Sequence, residues 1–568
     1  MIILGLYGAF DWEANQSFDE HNDLTWVHDA GATLFINNSH ICSISQERLT
    51  RIKHDGNFPL ESIDYCLKEG NVSREDVDQI YIPSMCLEVF YRQLTDKRIE
   101  NKISTLFPNA EFHIVSHHLS HAASSVFSSP FDEGSILTLD GAGSLIYDID
   151  YKNSLQAETN LIGYFNKKKN IFRIFNGVNG TNNFGSYYHD TAHKIYCKKI
   201  RKQIDPFDEK YRETWDGKIM GLSAYGKNES IENLKEYTLS KDLSYNEFPY
   251  VIFDYQKEFA LKTADEQAYI LQKNFENALV DYISELQRLN YLEENLCLAG
   301  GSFLNVLGNS CLKKLGLDIH IPPCTNDVGL HFGAACYGVS QHCEEVVLPK
   351  NIALLGREYN DEEIEKEIKE YDYHKFESIG EVCKFTTSQL AQNKIIAWFQ
   401  NRSEFGARAL GSRSLLMNPS PKENKDIMNH RVKHREYWRP FAGIILEEHL
   451  SEYFEEDYIS PYMLYSLTVK EDKIPEIAAI THEDKTCRIQ TITEDYQPET
   501  TQLLREYYDL TGIPVVLNTS FNDNGEPIVE SPKDAVNAFN NLDIDFLVMG
   551  TYVVRKTHKN VKKRVGYA

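Results

Sequence analysis

Residues 113–144, HIVSHHLSHAASSVFSSPFDEGSILTLDGAGS, place a predicted helix before an apolar strand that ends in a glycine turn. His117 and His121 stand four residues apart on this helix, so both imidazoles leave one face and can bind the same cation. Asp140 ends the strand and offers a hard oxygen ligand, while the glycines after it let the backbone approach an anion. The stretch therefore predicts a metal site beside a phosphate site. Each motif alone is also typical of a surface histidine pair or a tight turn.

Two later stretches repeat the pattern of a strand followed by a turn. NLCLAGGSFLNV at 295–306 is a buried strand before Gly300-Gly301 and a helix start, which leaves room for a nucleotide against the backbone. IPPCTNDVGLHFGAACYGV at 321–339 ends a strand at Asn326-Asp327 and opens a helix of small residues that permits close packing. Asp327 is the natural fourth ligand to join His117, His121 and Asp140, and a mixed nitrogen and oxygen set suits iron, manganese or zinc better than calcium.

The amino-terminal end predicts a strand and a hairpin that carry further polar residues. IILGLYG at 2–8 is a continuous apolar run, and ATLFI and HICSIS form two short strands joined by Asn-Asn-Ser. His28 and Asp29 lie where the chain enters this hairpin, and charged residues at 47–53 follow it. These charges indicate either a ligand-facing edge or a solvated charge run. Lys218, between glycines at 215–227, either reaches a phosphate or is exposed.

Composition and charge narrow the class of protein. A chain of 568 residues has material for two to four domains. Its formal net charge of −25 argues against binding a nucleic-acid backbone as the main task. The 11 cysteines include no C-x-x-C pair, which favours reduced thiols in a cytoplasm. The first residues have no export signal pattern, and no apolar run approaches about 18 residues. We expect a cytoplasmic protein with neither a membrane nor a nucleic-acid partner.

A second polar constellation follows a change from apolar to charged sequence. This change predicts a domain at 1–350, a linker at 351–374 and a second domain at 375–568. Stretches 405–416 and 428–442 then concentrate cationic residues in an acidic chain: Arg408, Arg413, Arg431, Lys433, Arg435 and Arg439. These residues alternate with glycine, aromatic and proline residues on segments predicted to be strand-like, which favours a pocket for phosphate or carboxylate over a surface RNA patch. Arg488 and the strand end Asn518, Thr519 and Ser520 add further donors.

The motifs together resemble the O-carbamoyltransferase family of antibiotic, nodulation-factor and toxin pathways, the NodU/CmcH family. In family order the chain carries VHDAGA, QERLTRIKH, HHLSHA, LDGAG, GKIMGLSAYG, LAGGSFLN, ND-x-G-x-x-x-GAA, FGARALGSRS, VKHREYWRPFA and LNTSFN-x-x-GEPIV. The resemblance covers nearly the whole chain. It implies an α/β protein with a two-lobed actin-like (ASKHA) amino-terminal domain, akin to the threonylcarbamoyl transferase of tRNA modification, and a YrdC-like α/β carboxy-terminal domain.

The resemblance also implies an ATP-dependent reaction in two steps. Carbamoyl phosphate and ATP would yield carbamoyl-adenylate in the carboxy-terminal domain. The carbamoyl group would then pass, shielded from water, to the amino-terminal cleft, where a hydroxyl of a natural-product or sugar acceptor attacks. The basic cluster has a physical task in the first step, because it offsets anionic charge that would otherwise oppose attack on a phosphate. The expected cofactors are Fe²⁺, with Mn²⁺ or Zn²⁺ as alternatives, and ATP with Mg²⁺. A homodimer is left open.

Residue patterns and the resemblance together predict roles for individual side chains. His28 is the candidate base, because a neutral imidazole can accept the hydroxyl proton near neutral pH, although a strand-end histidine satisfied by the backbone is the alternative. The predicted catalytic residues are His28, Lys433 and Arg439. The predicted substrate-binding residues are Asp29, Arg408, Arg488, Asn518 and Ser520. The predicted nucleotide-binding residues are Gly141, Gly143, Lys218, Gly300, Gly301 and Asn305. The predicted metal ligands are His117, His121, Asp140 and Asp327.

The chain departs from the family pattern at three places. Asp216 stands where glutamate is usual, Ala407 stands where proline is common, and the insert at 11–26 is longer than the minimal spacing. Trp12 and Trp26 of that insert are predicted to stack on an acceptor ring. The competing functions are a metal- and ATP-binding component of tRNA threonylcarbamoylation, a non-catalytic actin-like switch and a sugar kinase. The sequence leaves the acceptor, the native metal and the oligomeric state open.

Overall fold

The chain forms two compact units. The fold is taken from a computed structural model, which describes residues 1–10, 27–84, 97–141, 143, 145–148, 154–176, 183–200, 215–227, 237–241, 249–253 and 259–556. The amino-terminal unit consists of Met1–Ile352 with Phe405–Ala407, and the carboxy-terminal unit consists of Ala353–Glu404 with the chain from Arg408 onward. The predicted insert at 11–26, including its two tryptophans, lies outside the described residues.

The amino-terminal unit contains fourteen described strands and nine described α-helices. The strands are β1 Ile2–Tyr7, β2 Gly31–Ile36, β3 Ser39–Ser45, β4 Gln79–Pro83, β5 Glu111–Val115, β6 Glu133–Leu139, β7 Leu145–Asp148, β8 Ser154–Ala157, β9 Asn160–Asn166, β10 Ile171–Asn176, β11 Tyr237–Lys241, β12 Pro249–Phe253, β13 Asn295–Ala299 and β14 Asp318–His320. The helices are α1 Gln46–Thr50, α2 Leu60–Gly70, α3 Arg98–Leu106, α4 His117–Ser128, α5 Phe184–Ile195, α6 Asp216–Leu222, α7 Ala264–Arg288, α8 Val306–Leu312 and α9 Leu330–His342.

Two five-stranded sheets of this unit share one topology. Their strand orders are β3-β2-β1-β4-β5 and β10-β9-β6-β13-β14. Counted in the order of the chain, the first strand of each sheet pairs antiparallel with the second and parallel with the fourth: β1 with β2 and β4, and β6 with β9 and β13. The central strands β1 and β6 are buried along nearly their whole length, as expected when both faces of a sheet are covered. This duplication confirms the actin-like prediction, and the predicted hairpin is β2 and β3.

Helices α4 and α9 pack closely on each other because small residues line their contact. A Cβ atom added at Gly333 of α9 would lie 1.8 Å from the Ser120 carbonyl oxygen of α4. A Cβ at Gly5 of β1 would lie 2.1 Å from the His331 carbonyl oxygen. The prediction of a small-residue helix after Asp327 is thereby confirmed. The close approach brings the amino-terminal end of α4 near the turn that precedes α9.

The carboxy-terminal unit is built on one mixed sheet of nine strands in the order β15-β23-β22-β16-β17-β21-β18-β20-β19. Its strands are β15 Asp372–Lys375, β16 Ile396–Phe399, β17 Arg413–Met417, β18 Ala442–Leu446, β19 Ser466–Thr468, β20 Thr486–Ile492, β21 Val515–Ser520, β22 Phe546–Met549 and β23 Tyr552–Arg555. Its helices are α10 Asp361–Ile368, α11 Ile379–Ala391, α12 Glu423–Ile427, α13 Leu450–Tyr453, α14 Pro498–Thr511 and α15 Pro532–Asn541. The predicted α/β class agrees with this architecture.

The predicted linker at 351–374 contains α10 and most of β15, which pairs with β23. The predicted domain bounds stay a prediction. One local expectation differs from the structure. The stretch from 428 was expected to be strand-like, but Met428–Val432 continues α12 as a helical turn. Alternation of cationic and apolar residues at this length fits either a strand or a helical turn, and packing decides between them.

None of the helices in the described ranges is long and apolar enough to cross a membrane.

Candidate active site

Four side chains converge in the amino-terminal unit. The Nε2 atom of His121 lies 3.1 Å from Asp140 Oδ2 and 3.4 Å from Asp327 Oδ1. His117 Nε2 lies 3.4 Å and 3.6 Å from the same two oxygens. All four candidate ligand atoms lie within 4.8 Å of one another. The structure thus brings together the predicted set His117, His121, Asp140 and Asp327.

Local structure explains how each of these ligands is placed. Ser116 caps α4 by accepting a hydrogen bond from the Leu119 backbone N–H at 3.3 Å, so the helix begins at His117 and both imidazoles leave one face. Asp140 follows β6 directly. Its Oδ1 atom accepts from the backbone N–H groups of Gly141 at 2.8 Å and Gly301 at 3.2 Å. These donors turn Oδ2 toward the histidines, which leaves one carboxylate oxygen for a cation.

Tyr7 orients the carboxylate of Asp327 in the same way. The Tyr7 hydroxyl donates to Asp327 Oδ2 at 3.2 Å, while Asp327 Oδ1 faces the histidines. Tyr7 ends β1 and is almost completely buried. Tyr7 cannot be recognised from the sequence as a site residue, because a tyrosine at the end of an apolar strand is typical of a core.

The electrostatics of this cluster favour a divalent cation. Burial alone would lower the pKa of His117, but the charges of Asp327 and Asp140 and their hydrogen bonds raise it to about 10. Burial would raise the pKa of Asp140 and Asp327, but the histidines lower both. The carboxylates therefore hold protons on the imidazoles as substitutes for a cation. Two imidazole nitrogens and two carboxylate oxygens in a buried cluster fit iron, manganese or zinc.

His28 lies at the edge of the same cluster. Its Nε2 atom is 3.8 Å from Asp327 Oδ2, and its Nδ1 atom is 3.1 Å from Asp29 Oδ2. Burial would lower the pKa of His28, but the hydrogen bond to Asp29 and the charges of Asp327, Asp29 and Asp140 raise it to about 9. A divalent cation held by Asp140 and Asp327 would offset two of these charges and favour the neutral imidazole that a general base requires.

Both carboxylate oxygens of Asp29 already accept hydrogen bonds from protein side chains. Its Oδ2 atom also accepts from Asn326 Nδ2 at 3.2 Å, and its Oδ1 atom accepts from His54 Nδ1 at 2.8 Å. Only 3% of Asp29 is exposed. Its assignment as a substrate-binding residue stays a prediction, while the structure shows a carboxylate surrounded by protein donors.

The predicted nucleotide-binding residues have several kinds of environment. Gly300 has φ +104° and Gly301 donates to Asp140, so both belong to the turn beside the ligand cluster. A Cβ at Gly143 would lie 2.5 Å from His118 Cδ2, whereas Gly141 has more room. Close packing therefore explains Gly143, Gly300 and Gly301, but not Gly141. Their role toward a nucleotide stays a prediction.

Lys218 and Asn305 make protein contacts. The Lys218 ammonium lies 3.3 Å from the Tyr196 hydroxyl and over the rings of Tyr196 and Trp215, and its side chain is buried. Asn305 caps α8 by accepting from Gly308 N–H at 3.0 Å, and its amide exchanges hydrogen bonds with Gln272. Nucleotide binding by either residue stays a prediction. A burial pattern of this kind cannot be read from neighbouring glycines.

The carboxy-terminal unit contains a cationic cluster of one buried lysine and four half-buried arginines, which are Lys433, Arg408, Arg435, Arg439 and Arg488. Burial and the charge of Arg439 lower the pKa of Arg408 to about 10. Burial and the charges of Arg408 and Arg439 lower the pKa of Arg488 well below its usual range, and Arg435 shows the same effect from Arg439 and Arg488. These shifts mean that the guanidinium groups repel one another. An anion placed among them would relieve this repulsion.

Strand register places one member of this cluster, Arg488, on the same sheet face as Asn518. Ala442 of β18 pairs with Asn518 of β21 on one side and with Arg488 of β20 on the other. Paired residues project from the same sheet face, so Asn518 and Arg488 flank one position although thirty residues separate them in sequence. The Asn518 amide donates to the Ala409 carbonyl at 3.0 Å, which ties the FGARALGSRS loop to this sheet position.

Lys433 is held at the end of β21. Its ammonium donates to the Ser520 carbonyl at 3.0 Å, the Ser520 hydroxyl at 3.3 Å, the Asn522 carbonyl at 2.7 Å and Asn522 Oδ1 at 2.8 Å. Burial and the charge of Arg435 lower the pKa of Lys433 well below its usual range. The structure therefore joins Lys433 and Ser520, as the motif order suggested. It adds Asn522, which lies within a motif already recognised but had no predicted role.

Two arginines named with the cluster have other environments. Arg413 is fully buried and donates to the carbonyl groups of Gln400, Asn401 and Ser412, so it supports backbone. Arg431 forms an exposed pair with Asp543, at 2.9 Å and 2.6 Å. Both were included in the pocket on charge density alone. Charge along a sequence does not show which side chains face one another.

Family comparisons agree with this arrangement of two units. Residues 23–107 and 102–336 match the Carbamoyltransferase N-terminus family, and residues 387–556 match the Carbamoyltransferase C-terminus family. These matches cover most of the chain. The chain therefore belongs to the carbamoyltransferase family, and it is an enzyme that transfers a carbamoyl group.

Several characterised and uncharacterised proteins are similar to the chain. Nodulation protein NolNO of Sinorhizobium fredii is 30% identical over 601 residues, which cover 98% of this chain and 83% of the relative. Nodulation protein U of the same species is 38% identical over 237 residues, covering 41% and 40%. The 3'-hydroxymethylcephem-O-carbamoyltransferase of Streptomyces clavuligerus is 31% identical over 344 residues, covering 59% and 63%.

Solved structures resemble the chain only distantly. Full-length HypF in its phosphate- and nucleotide-bound form is 14% identical with a TM-score of 0.34, covering 60% of this chain and 55% of HypF. The ROK hexokinase of Thermus thermophilus is 13% identical with a TM-score of 0.28, covering 59% and 98%.

Proposed function

We propose that the protein is an ATP-dependent O-carbamoyltransferase that acts through carbamoyl-adenylate. In the first step carbamoyl phosphate loses its phosphate to water, and the resulting carbamate oxygen attacks the α-phosphorus of ATP and expels pyrophosphate. In the second step an acceptor hydroxyl attacks the carbamoyl carbon and AMP leaves. The acceptor is a small natural product or sugar that bears a hydroxyl group, a proposal in keeping with the hydroxymethyl acceptor named for the Streptomyces clavuligerus relative.

The observation that carries the first step is the cationic cluster. Among the described residues, neither Arg408 nor Arg488 has a carboxylate within 4.0 Å, and Arg439 has only Glu436, at 3.6 Å. The ε-nitrogens of Arg408 and Arg488 are buried with no hydrogen-bond partner in the described part of the chain. A polyanion such as ATP would supply the missing charge. Attack on a phosphate requires such groups, because they offset negative charge that develops in the transition state.

Residues of the amino-terminal unit support the second step. His28 would accept the hydroxyl proton through Nε2, and its Nδ1 atom faces Asp29. A divalent cation held by His117, His121, Asp140 and Asp327 would supply positive charge that stabilises the phosphate of the leaving AMP. Gly141 and Gly301 keep Asp140 turned toward that position through their backbone N–H groups.

The test is pyrophosphate release by the purified protein with ATP, carbamoyl phosphate and Mg²⁺, without an acceptor. We expect release that depends on carbamoyl phosphate. His117→Ala should retain this release and lose O-carbamoylation of an acceptor, because it removes a metal ligand of the other unit. Arg431→Ala is the matched control in the carboxy-terminal unit, since its side chain is an exposed partner of Asp543.

The contrary outcomes separate the parts of the proposal. Product formation by His117→Ala at the wild-type rate would contradict the role of the metal cluster. Absence of pyrophosphate release, both alone and with a panel of hydroxyl acceptors, would contradict the adenylate step. Turnover that requires tRNA would favour a threonylcarbamoylation component.

A further inference from the structure

Asp29 connects three segments of the amino-terminal unit. It follows His28 in sequence, accepts from Asn326 beside the candidate ligand Asp327, and accepts from His54 in the segment after α1. Its backbone has φ +60°, a left-handed conformation that is uncommon for a residue other than glycine. A buried residue held in such a conformation is typical of a functional site, where surrounding contacts maintain the strain.

Backbone contacts of the segment at 51–57 hold the His54 side chain against Asp29. His54 also has a left-handed backbone, with φ +53°, and its backbone N–H donates to Glu47 Oε2 at 2.9 Å. Gly56 lets the segment approach the chain before His28, since a Cβ there would lie 1.8 Å from the Val27 carbonyl oxygen. The Ala30 backbone N–H donates to the Asp55 carbonyl at 2.8 Å. These contacts fix the position of the His54 ring.

The group Asp29, Glu47 and His54 has the donor types of a cation site, but its hydrogen bonds explain it without one. Glu47 accepts from the Lys53 ammonium at 3.4 Å and from the His54 backbone. Both oxygens of Asp29 accept from side chains. An ionised carboxylate can only accept hydrogen bonds, so each imidazole that faces Asp29 must present a protonated Nδ1.

We propose that His54 is a positioning residue that acts through Asp29 on His28. The Nδ1–H group of His54 donates to Asp29 Oδ1 and thereby holds Asp29 Oδ2 against His28 Nδ1. His28 then carries its proton on Nδ1 and presents a bare Nε2 atom to the acceptor hydroxyl. The inference rests on the proposed role of His28, and it gives a function to the QERLTRIKH motif, which ends at His54.

The mechanism needs this control because the two neutral forms of an imidazole differ in which nitrogen can accept a proton. Without Asp29 in place, His28 would also populate the form protonated on Nε2, which cannot act as a base toward the acceptor. Loss of such an orienting partner costs an enzyme much of its rate while substrate contacts remain. His54 lies one residue further from the chemistry, so its effect must be transmitted by the orientation of Asp29.

The direct test is the proton position on His28 in the full-length protein loaded with Zn²⁺, which is diamagnetic. The sample is labelled with ¹⁵N-histidine, and His28→Gln identifies the resonances of the ring. We expect wild-type His28 to show a protonated Nδ1 and a bare Nε2. His54→Leu, which removes the donor to Asp29, should give a mixture of both forms. His54→Asn, which keeps an N–H donor near the Nδ1 position, should restore the wild-type signal.

A kinetic measurement accompanies the spectra. With ATP and carbamoyl phosphate but no acceptor, His54→Leu should release pyrophosphate at the wild-type rate. Its release of AMP, which reports transfer of the carbamoyl group to water, should fall by about 10- to 100-fold, the usual effect of losing an outer-shell partner. His54→Asn should recover most of the loss. His113→Leu is the matched control, because His113 is also half-buried in this unit but pairs with Gln79.

Each result decides between distinct conclusions. An unchanged His28 signal in His54→Leu, or equal defects in the Leu and Asn variants, would overturn the positioning role. If His54→Leu does not fold, Asp29→Asn must produce the mixture of His28 forms, and its failure to do so would overturn the inference. Wild-type protein that releases neither pyrophosphate nor AMP would contradict the proposed function, whereas the spectra would still decide the role of His54.

Discussion

Uncompensated positive charge is the clearest feature at the scale of single residues. Proteins usually pair a buried cation with a carboxylate, because an isolated buried charge is costly. The cationic cluster of the carboxy-terminal unit instead gathers guanidinium groups, and burial together with the charges of neighbouring arginines lowers the pKa of Arg408, Arg435 and Arg488. Lys433 avoids part of this cost through its four contacts with Ser520 and Asn522. Such an arrangement stores repulsion that a bound anion relieves.

Arg439→Met tests this interpretation through opposite effects on stability and activity. Removing one charge should raise the ligand-free free energy of unfolding by about 1 kcal/mol, as is common when a functional site is relaxed. Pyrophosphate release should fall by about 100-fold, the typical cost of losing one electrostatic contact to a transition state. Denaturant unfolding and the release assay measure the two effects.

The matched control is Arg431→Met, whose exposed pair with Asp543 should change the free energy of unfolding by less than about 1 kcal/mol. A clear loss of ligand-free stability in Arg439→Met would show that Arg439 is held by favourable contacts. The interpretation of the cluster as strained would then be wrong.

At the scale of elements, the turns after the strands bring the ligands together. Asp140 follows β6, and the turn after β13 approaches it closely enough for the Gly301 backbone N–H to donate to Asp140 Oδ1. Gly300 lets this happen, because its φ is +104° and a Cβ there would lie 2.2 Å from the Leu139 carbonyl oxygen. The motif LAGG is therefore explained by the approach of two parallel strands.

Gly300→Ala should distort this turn and weaken metal binding. We expect a loss of about 2 kcal/mol or more in the free energy of unfolding, from backbone strain and the contact with Leu139. Zn²⁺ affinity, measured by calorimetry, should fall as well, because Gly301 would no longer orient Asp140. Gly217→Ala is the control, since Gly217 lies in helix α6 and, among the described residues outside the backbone of that helix, none has an atom within 4 Å of the added Cβ. Equal stability of the two variants would contradict the steric argument.

At the scale of the whole molecule, the two candidate sites belong to different compact units with different chemistry. The amino-terminal site offers acidic oxygens and imidazoles, and the carboxy-terminal site offers cations. The chain as a whole has a formal net charge of −25, but the cationic cluster makes one region of the carboxy-terminal unit locally positive. Ligands of opposite charge should act on different parts of the chain.

Hydrogen exchange measured by mass spectrometry should separate these effects. Zn²⁺ should slow exchange in peptides from 111–139 and 295–342, because it would link α4, β6 and the turn before α9. Pyrophosphate should slow exchange in peptides from 405–446 and 486–522, which carry the cationic cluster. Protection of the cationic segments by Zn²⁺ alone, or of the histidine segments by pyrophosphate alone, would contradict the assignment of the two sites.

Features that depend on short-range spacing can be predicted from the amino-acid sequence. The four-residue interval between His117 and His121 defines a helix face, and apolar runs ending in glycine turns define strands whose ends meet. The motif order identified the family, while residue spacing and charge named all four candidate metal ligands and all five members of the cationic cluster. These features survive because helix and strand periodicity are local properties of the chain.

Which polar side chains face each other follows from the tertiary structure. The fold places Arg413 against backbone carbonyls and Arg431 at the surface, and it brings Asn522 to Lys433. It also joined His54 to Asp29 across 25 residues of sequence. Contacts of this kind depend on sheet register and on the path of loops, which are set by packing of the whole unit, so charge density along the chain cannot reveal them.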